Sequence, residues 1–216
     1  MLTLFEEFLS LSIHETKGTY IRSSIDRLKP GLVGAILTEL ALIGKIQTSN
    51  NHRLKLVDDS QTTDDILKEA LSALKESDND RKFGYWINTL SQRTEKIHKH
   101  IVKSLAQKGF VTQDDDQLSW VIPSPLQPET KVSTKYLLIT RLRGIVLAQE
   151  NAQPRDIALL SMVRACGLLD LIFLRDELKL ADRQINELVF KQALSNPVIQ
   201  TIQEIECAIA DLVEED

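Results

Sequence analysis

The chain has 216 residues, 43% of them apolar and 26% charged, and carries a net charge of −5. A chain of that length buries roughly 70% of the surface its unfolded form exposes, so it needs no disulfide or metal staple, and its composition excludes an intrinsically disordered protein. The acidic balance works against bulk attraction to nucleic acid or anionic membrane, and any basic surface must be local. Cys166 and Cys207 sit in apolar helical patterns without CxxC spacing and read as core residues suited to a reducing compartment. No apolar run approaches the roughly 20 residues of a bilayer span, and the opening MLTLFEEFLSL carries acids where a secretory signal carries bases. A cytoplasmic address is expected.

Leu4, Phe5, Phe8, Leu9, Leu11 and Ile13 recur at helical spacing and predict a first amphipathic helix closed by Gly18. Pro30 and Gly31 open a second helix over 31–44, carrying Leu32, Ile36, Leu37, Leu40 and Ile43 and stopped by Gly44. Residues 45–48 and 53–57 then flank Ser49, Asn50 and Asn51 as a hairpin. Thr62 or Thr63 is the expected cap of a helix through Ile66, Leu67, Ala70, Leu71 and Leu74, and Trp86, Ile87 and Leu90 begin the next apolar surface. After the turn-rich PSPLQPET, helices are predicted over 131–149, 154–173, 176–194 and 196–213.

The helix, glycine and hairpin unit occurs twice. AILTELALIGKIQTSNNHRLKLV parallels HIVKSLAQKGFVTQDDDQLSWVI, so that Ile36 matches Ile101, Leu40 matches Leu105, Gly44 matches Gly109, and Leu54 and Leu56 match Leu118 and Trp120. A helix that runs through glycine into a two-stranded wing is the ending of a winged helix. The expected fold is mainly α: a helical shell around two small β-hairpins in winged-helix-like repeats, 31–58 and 96–123, within one domain spanning 1–216.

No catalytic site, metal site or cofactor is expected. His98 and His100 are two apart and diverge on a helix, whereas paired helical ligands want i, i+4 spacing. Nucleophile-elbow, Walker, dinucleotide and zinc-protease motifs are absent. The charged surface that stands out is 93–108, where Arg93, Lys96, Lys99, Lys103 and Lys108 oppose one acid, Glu95, while Ile97, Ile101, Val102 and Leu105 take the other face. Upstream, Arg22, Arg27 and Lys29 cluster before the second helix. Such a stripe is either a solvated helix face or a set of donors that converge on a phosphate. Trp120, on the second wing, is open to a packing or an interfacial role.

These segments resemble the Golgi phosphoprotein 3-like family in order along nearly the whole chain. LTLFEEFLSLSI resembles its L-T-L-x-E-E-x-L-L-L start, GLVGAILTELALIGKI its helix ending in E-L-A-L-x-G-R, and TTDDILKEAL its P-T-G-D-x-L-L-D-E-A-L. HIVKSLAQKGFVT resembles its L-x-K-x-L-V-E-K-G-V-L-T segment, and ALLSMVRACGLLDLIF a late family helix. The resemblance implies a helical, non-enzymatic protein, peripheral on cytosolic membrane faces, whose eukaryotic members bind phosphatidylinositol 4-phosphate and hold glycosyltransferase tails. It also implies a headgroup clamp of one tryptophan, one arginine and two arginines three apart. Those positions fall here at Ser23 or Ser24, at Val33, and at Glu95 and His98. Four fixed donors are thus replaced, each a charge-assisted hydrogen bond of about 1.5–3 kcal/mol.

The candidates to substitute for them are Arg22, Arg27, Lys29, Lys96, His98 and Lys99, with Leu118, Trp120 and Ile122 of the second hairpin as an oligomer or membrane contact. The chain is expected to be a distant, prokaryotic relative that lacks the basic arm ahead of the core in eukaryotic members. Expected partners are an anionic phospholipid headgroup, other proteins and further copies of the chain. Two alternatives compete with a lipid-binding adaptor: a winged-helix DNA-binding protein, disfavoured because helix 31–44 offers no cation before Lys45, and a protein-interaction scaffold that binds no lipid.

Overall fold

The computed structural model describes residues 2–13, 27–76, 81–114, 117–120 and 134–214. It is mainly helical, and its centre is α2 (Leu28–Leu42), buried continuously from Gly31 to Ala41. A helix apolar all round belongs inside a protein rather than on its surface. Two glycines let neighbours close in on it. A Cβ on Gly31 would meet Phe8 of α1 (Leu4–Ser12) and the Cys166 sulfur, and one on Gly34 would meet Ile209 of α9 (Pro197–Glu214). Gly18, the expected stop of α1, lies outside the described residues; α1 ends at Ser12.

The ends of α1 are anchored by charge. Thr3 and Glu6 form a capping box in which the Thr3 N–H donates to Glu6 at 2.7 Å. Glu6 is fully buried and accepts from Lys108 and from the Ser104 hydroxyl at 2.7 and 2.6 Å. Burial pushes its carboxyl up, but those donors outweigh burial and hold it below the ordinary value. Glu7 and Glu39 share Arg155, at 3.2 and 3.1 Å, and Arg155 also donates to the Leu2 carbonyl at 2.8 Å. Lys135 closes the other end of α1 by donating to the Leu11 and Ile13 carbonyls.

Both repeats end their helices in the same way. In α2 the Lys45 N–H reaches the Leu40 carbonyl and the Gly44 N–H the Ala41 carbonyl, at 2.8 and 3.1 Å. In α5 (Thr94–Gln107) the Phe110 N–H reaches Leu105 and the Gly109 N–H reaches Ala106, at 2.9 and 3.0 Å. Gly44 and Gly109 share a φ of +74°, the left-handed conformation this helix stop requires. Each stop feeds an antiparallel hairpin. The first is β1 (Ile46–Thr48) with β2 (Arg53–Leu56), in register Ile46↔Leu56; the second, following β3 (Arg81–Lys82), is β4 (Val111–Asp114) with β5 (Gln117–Trp120), in register Val111↔Trp120.

The structure differs from the sequence reading in several places. Cys207, read as core, is exposed, and α2 begins at Leu28 rather than Gly31, so Lys29 lies within it. The short strand β3 pairs with β2 and makes the first wing three-stranded. The turn of that wing extends to His52, which takes a positive φ, 56°, and whose ring meets Glu204 of α9 at 2.6 Å. The cap of α3 (Asp65–Glu76) is Asp64, whose carboxylate accepts from Ile66 and Leu67 N–H at 2.9 and 3.1 Å; neither Thr62 nor Thr63 does this. The segment predicted as one helix over 154–173 is α7 (Pro154–Ala165), stopped by Gly167 at φ +60° and followed by a 3₁₀ turn, Leu169–Leu171. The other helices, α4 (Phe83–Ser91), α6 (Thr134–Leu147) and α8 (Leu178–Ala193), follow the apolar spacing.

Candidate functional site

A cleft of about 650 Å³ opens where the start of α2, the end of α4 and the start of α5 meet. Its walls carry Lys29 from the first turn of α2, Arg93 from the turn between α4 and α5, and Lys96, Lys99 and His100 from one face of α5. The α4–α5 turn is fixed by the buried Thr94, whose hydroxyl donates to the Ser91 carbonyl at 2.6 Å. The first turn of α5, Thr94 to Lys96, forms part of the same wall. Glu95 is the acid on the wall. Outside the lining of the cleft, Glu69 of α3 pairs with Lys96 at 3.1 Å and with Arg93 at 3.7 Å.

The candidates from sequence separate into three groups. Lys29, Lys96 and Lys99 meet in this cleft although 67 and 70 residues separate the first from the others. Arg27 does not join them. Its guanidinium donates to the Gly167 carbonyl at 2.8 Å and caps the end of α7, where it lines a separate depression beside Arg164 and Glu206. Arg22 lies outside the described residues. His98 sits half-buried on α5, and burial together with nearby Lys99 pushes its pKa down, so its ring is neutral at pH 7 and supplies no fixed charge. Of the basic stripe read from sequence, Lys108 is committed to buried Glu6, and Arg93 and Lys96 lean on Glu69.

Leu118 and Trp120 lie in β5, paired through the backbone with Gln113 and Val111, and Ile122 lies outside the described residues. A second depression, of about 590 Å³, runs between the first wing and α9, with Arg53, Arg81 and Lys82 as well as Glu204 and Asp211 on its walls. Three cations there face two acids, whereas four cations face the single acid Glu95 in the cleft between α2 and α5, so the second depression is the weaker receptor for an anion. Among the described residues no group of three or more His, Cys, Asp or Glu side chains could hold a metal ion, and no helix is long and apolar enough to cross a membrane.

The family model described as Golgi phosphoprotein 3 (GPP34) matches residues 4–205, almost the whole of the fold. The chain belongs to the Golgi phosphoprotein 3 (GPP34) family. A curated relative, the vacuolar protein sorting-associated protein 74 of Eremothecium gossypii, is 26% identical over 178 residues, covering 73% of this chain and 51% of the relative. The chain therefore spans about half the length of the curated relative it matches. The sequence reading expected the headgroup clamp of the family to fall at Ser23 or Ser24, Val33, Glu95 and His98. Val33 is fully buried inside α2 and can present no donor, Glu95 is exposed and acidic, and His98 is neutral. Ser23 and Ser24 lie outside the described residues. The cations of this GPP34 protein stand beside those positions, at Lys29, Arg93, Lys96 and Lys99.

Proposed function

We propose that this protein is a non-catalytic adaptor that docks on the cytosolic face of a membrane by capturing a phosphorylated lipid headgroup, of the phosphatidylinositol 4-phosphate type, in the cleft between α2 and α5. The observation that carries this reading is the convergence of Lys29, Arg93, Lys96 and Lys99, from separate elements, on one cleft at a helix start. A phosphomonoester carries about −1.5 to −2 charges and three acceptor oxygens at neutral pH, and a helix start with converging cations is a fitting receptor for it. Family membership and the sorting-associated name of the relative support an adaptor role.

The DNA-binding reading is disfavoured by burial. A recognition helix must expose a face to enter a groove, whereas α2 is enclosed from Gly31 to Ala41 and the first wing is bound to α9 through Thr48 with Thr201 and His52 with Glu204. The second hairpin, with Leu118, Trp120 and Ile122, remains our proposed contact between copies or with a membrane. Light scattering of Trp120→Asp tests the contact between copies, a lower mass being the expected result and an unchanged mass rejecting it.

Co-sedimentation with neutral phosphatidylcholine vesicles, plain or doped with phosphatidylinositol 4-phosphate, tests the lipid reading. Pelleting above the plain-vesicle level is expected only with the doped vesicles, weakening with salt and lost in Lys29→Ala/Lys96→Ala/Lys99→Ala. Equal pelleting on both vesicles rejects it.

A further inference from the structure

Glu69 does not line the cleft but touches two of its cations, and the sequence reading met it only as part of TTDDILKEAL. It projects from the middle of α3 and divides its carboxylate between two of the four cleft cations: both oxygens lie 3.1 Å from the Lys96 ammonium, and one lies 3.7 Å from an Arg93 guanidinium nitrogen. The exposures are unequal. The Glu69 side chain is 24% exposed, against 63% for Lys96 and 55% for Arg93. The acid is thus the anchored partner, on a helix whose neighbouring Ala70 and Leu71 are buried, while the cations are the ends free to swing toward another anion.

We infer that Glu69 is a resident counter-anion that sets the selectivity of the cleft, admitting phosphomonoester headgroups and turning away singly charged ones. This inference rests on the headgroup reading proposed above. An arriving ligand must do better than a carboxylate already in place. A phosphomonoester does, because it brings nearly twice the charge and three terminal oxygens, enough to draw Lys96 and Arg93 away while also engaging Lys29 and Lys99. A phosphatidylserine headgroup, with one net negative charge and its own ammonium, offers Lys96 and Arg93 no more than Glu69 already gives them. Exclusion of the weaker competitor follows from leaving the cations with a better partner, which is how specificity is built against an unwanted ligand. Two partly exposed ion pairs are weak enough to yield, so the arrangement filters without sealing the site.

The test compares wild type, Glu69→Gln and Glu187→Gln on phosphatidylcholine vesicles that are plain, doped with phosphatidylinositol 4-phosphate, or doped with phosphatidylserine. Glu187 is exposed on α8, so its substitution makes the same change in net charge away from the cleft. Melting temperature checks that the variants fold. Glu69→Gln is expected to bind phosphatidylserine vesicles roughly threefold to tenfold more tightly than wild type, the range two exposed ion pairs support. Its gain on the phosphoinositide should be under about twofold, so that the preference between lipids narrows, and Glu187→Gln should change neither.

Three results overturn the inference. Weaker or unchanged binding of Glu69→Gln to both anionic lipids makes Glu69 a support for its cations rather than their competitor. An equal gain on both lipids, or an equal effect of Glu187→Gln, reduces it to general charge. If neither wild type nor Glu69→Gln binds phosphoinositide vesicles above the plain ones, the headgroup reading itself fails and takes the inference with it, an outcome distinct from the first two, in which wild type still binds.

Discussion

Gly34 of α2 and Ile209 of α9 touch so closely that a Cβ on the glycine would overlap the isoleucine side chain. The contact seats α2 on the apolar face of α9, from which Ile199, Ile202, Ile205 and Ile209 all turn inward. Gly34→Ala gains up to about 1 kcal/mol of helix propensity but overpacks a site without free volume, at a cost of about 1–3 kcal/mol. Packing should prevail. A urea titration is expected to show net destabilisation, and Gly34→Ala/Ile209→Val, which deletes the obstructing methyl, should lose less than the sum of the single changes.

Arg155 holds two buried acids, Glu7 and Glu39, and the Leu2 carbonyl. Arg155→Ala leaves both carboxylates without it and should cost about 3–5 kcal/mol at pH 7 by denaturant unfolding. The pH dependence has a definite sign. Burial already raises Glu7 above its usual value, with Arg155 and Arg141 pulling against it, so removing Arg155 raises it further. A folded carboxyl with a raised pKa binds protons better than the unfolded one, and protonation then favours folding. The stability gap between Arg155→Ala and wild type should therefore narrow as the pH falls from 7 toward 5; a gap that widens would reject this account.

Asp58 titrates in the opposite sense. A hydrogen bond from Lys45, at 2.7 Å, and further bonds from Ser60 lower its carboxyl from 3.8 to about 2. Its contribution is complete above pH 3.8 and disappears as the pH falls toward 2. Thermal melts of wild type and Asp58→Asn should differ at pH 5 and converge by pH 2.

Gly44 and Gly109 share one backbone conformation, and neither has any atom within 4 Å of where a Cβ would sit. Alanine at either position meets no neighbour, so its cost is conformational alone, about 1–2 kcal/mol. The two single variants should lose similar stability in equilibrium unfolding, and unequal losses would show that the two helix stops are not equivalent.

The fold was largely legible because its main signals are local. Leu32, Ile36, Leu40 and Gly44, and again Ile101, Leu105 and Gly109, carry helix period and stop within a few residues of one another. What escaped reading depends on neighbours distant in sequence. Strand β3 has two residues and no period of its own, and only pairing with Arg53 and Leu54 defines it. Asp64 prevails over Thr62 and Thr63 because its carboxylate stands beside two free N–H groups where the helix actually begins. The helix read over 154–173 breaks at Gly167 although apolar residues continue past it, because a left-handed glycine outranks periodicity. In the site, Lys29, Lys96 and Lys99 were found by composition, but which of them share a cleft was not. Arg27 looked equivalent to Lys29 two positions on, yet the end of α7 claims its guanidinium. The role of Glu69 was not legible, because nothing in the pattern of α3 marks which of its acids has cations from another helix beside it.

The enclosure of α2 reaches beyond packing. A helix with one wet face drifts at every third or fourth position and so leaves a periodic trace of tolerated substitutions, as α3 should, with Glu69, Ser72 and Glu76 outside its buried stripe. From Gly31 to Ala41 there is no wet face to drift on. Across divergent sequences that stretch is expected to vary little outside position 33, where the family resemblance puts an arginine, while the cations at the nearby cleft are exchanged more freely.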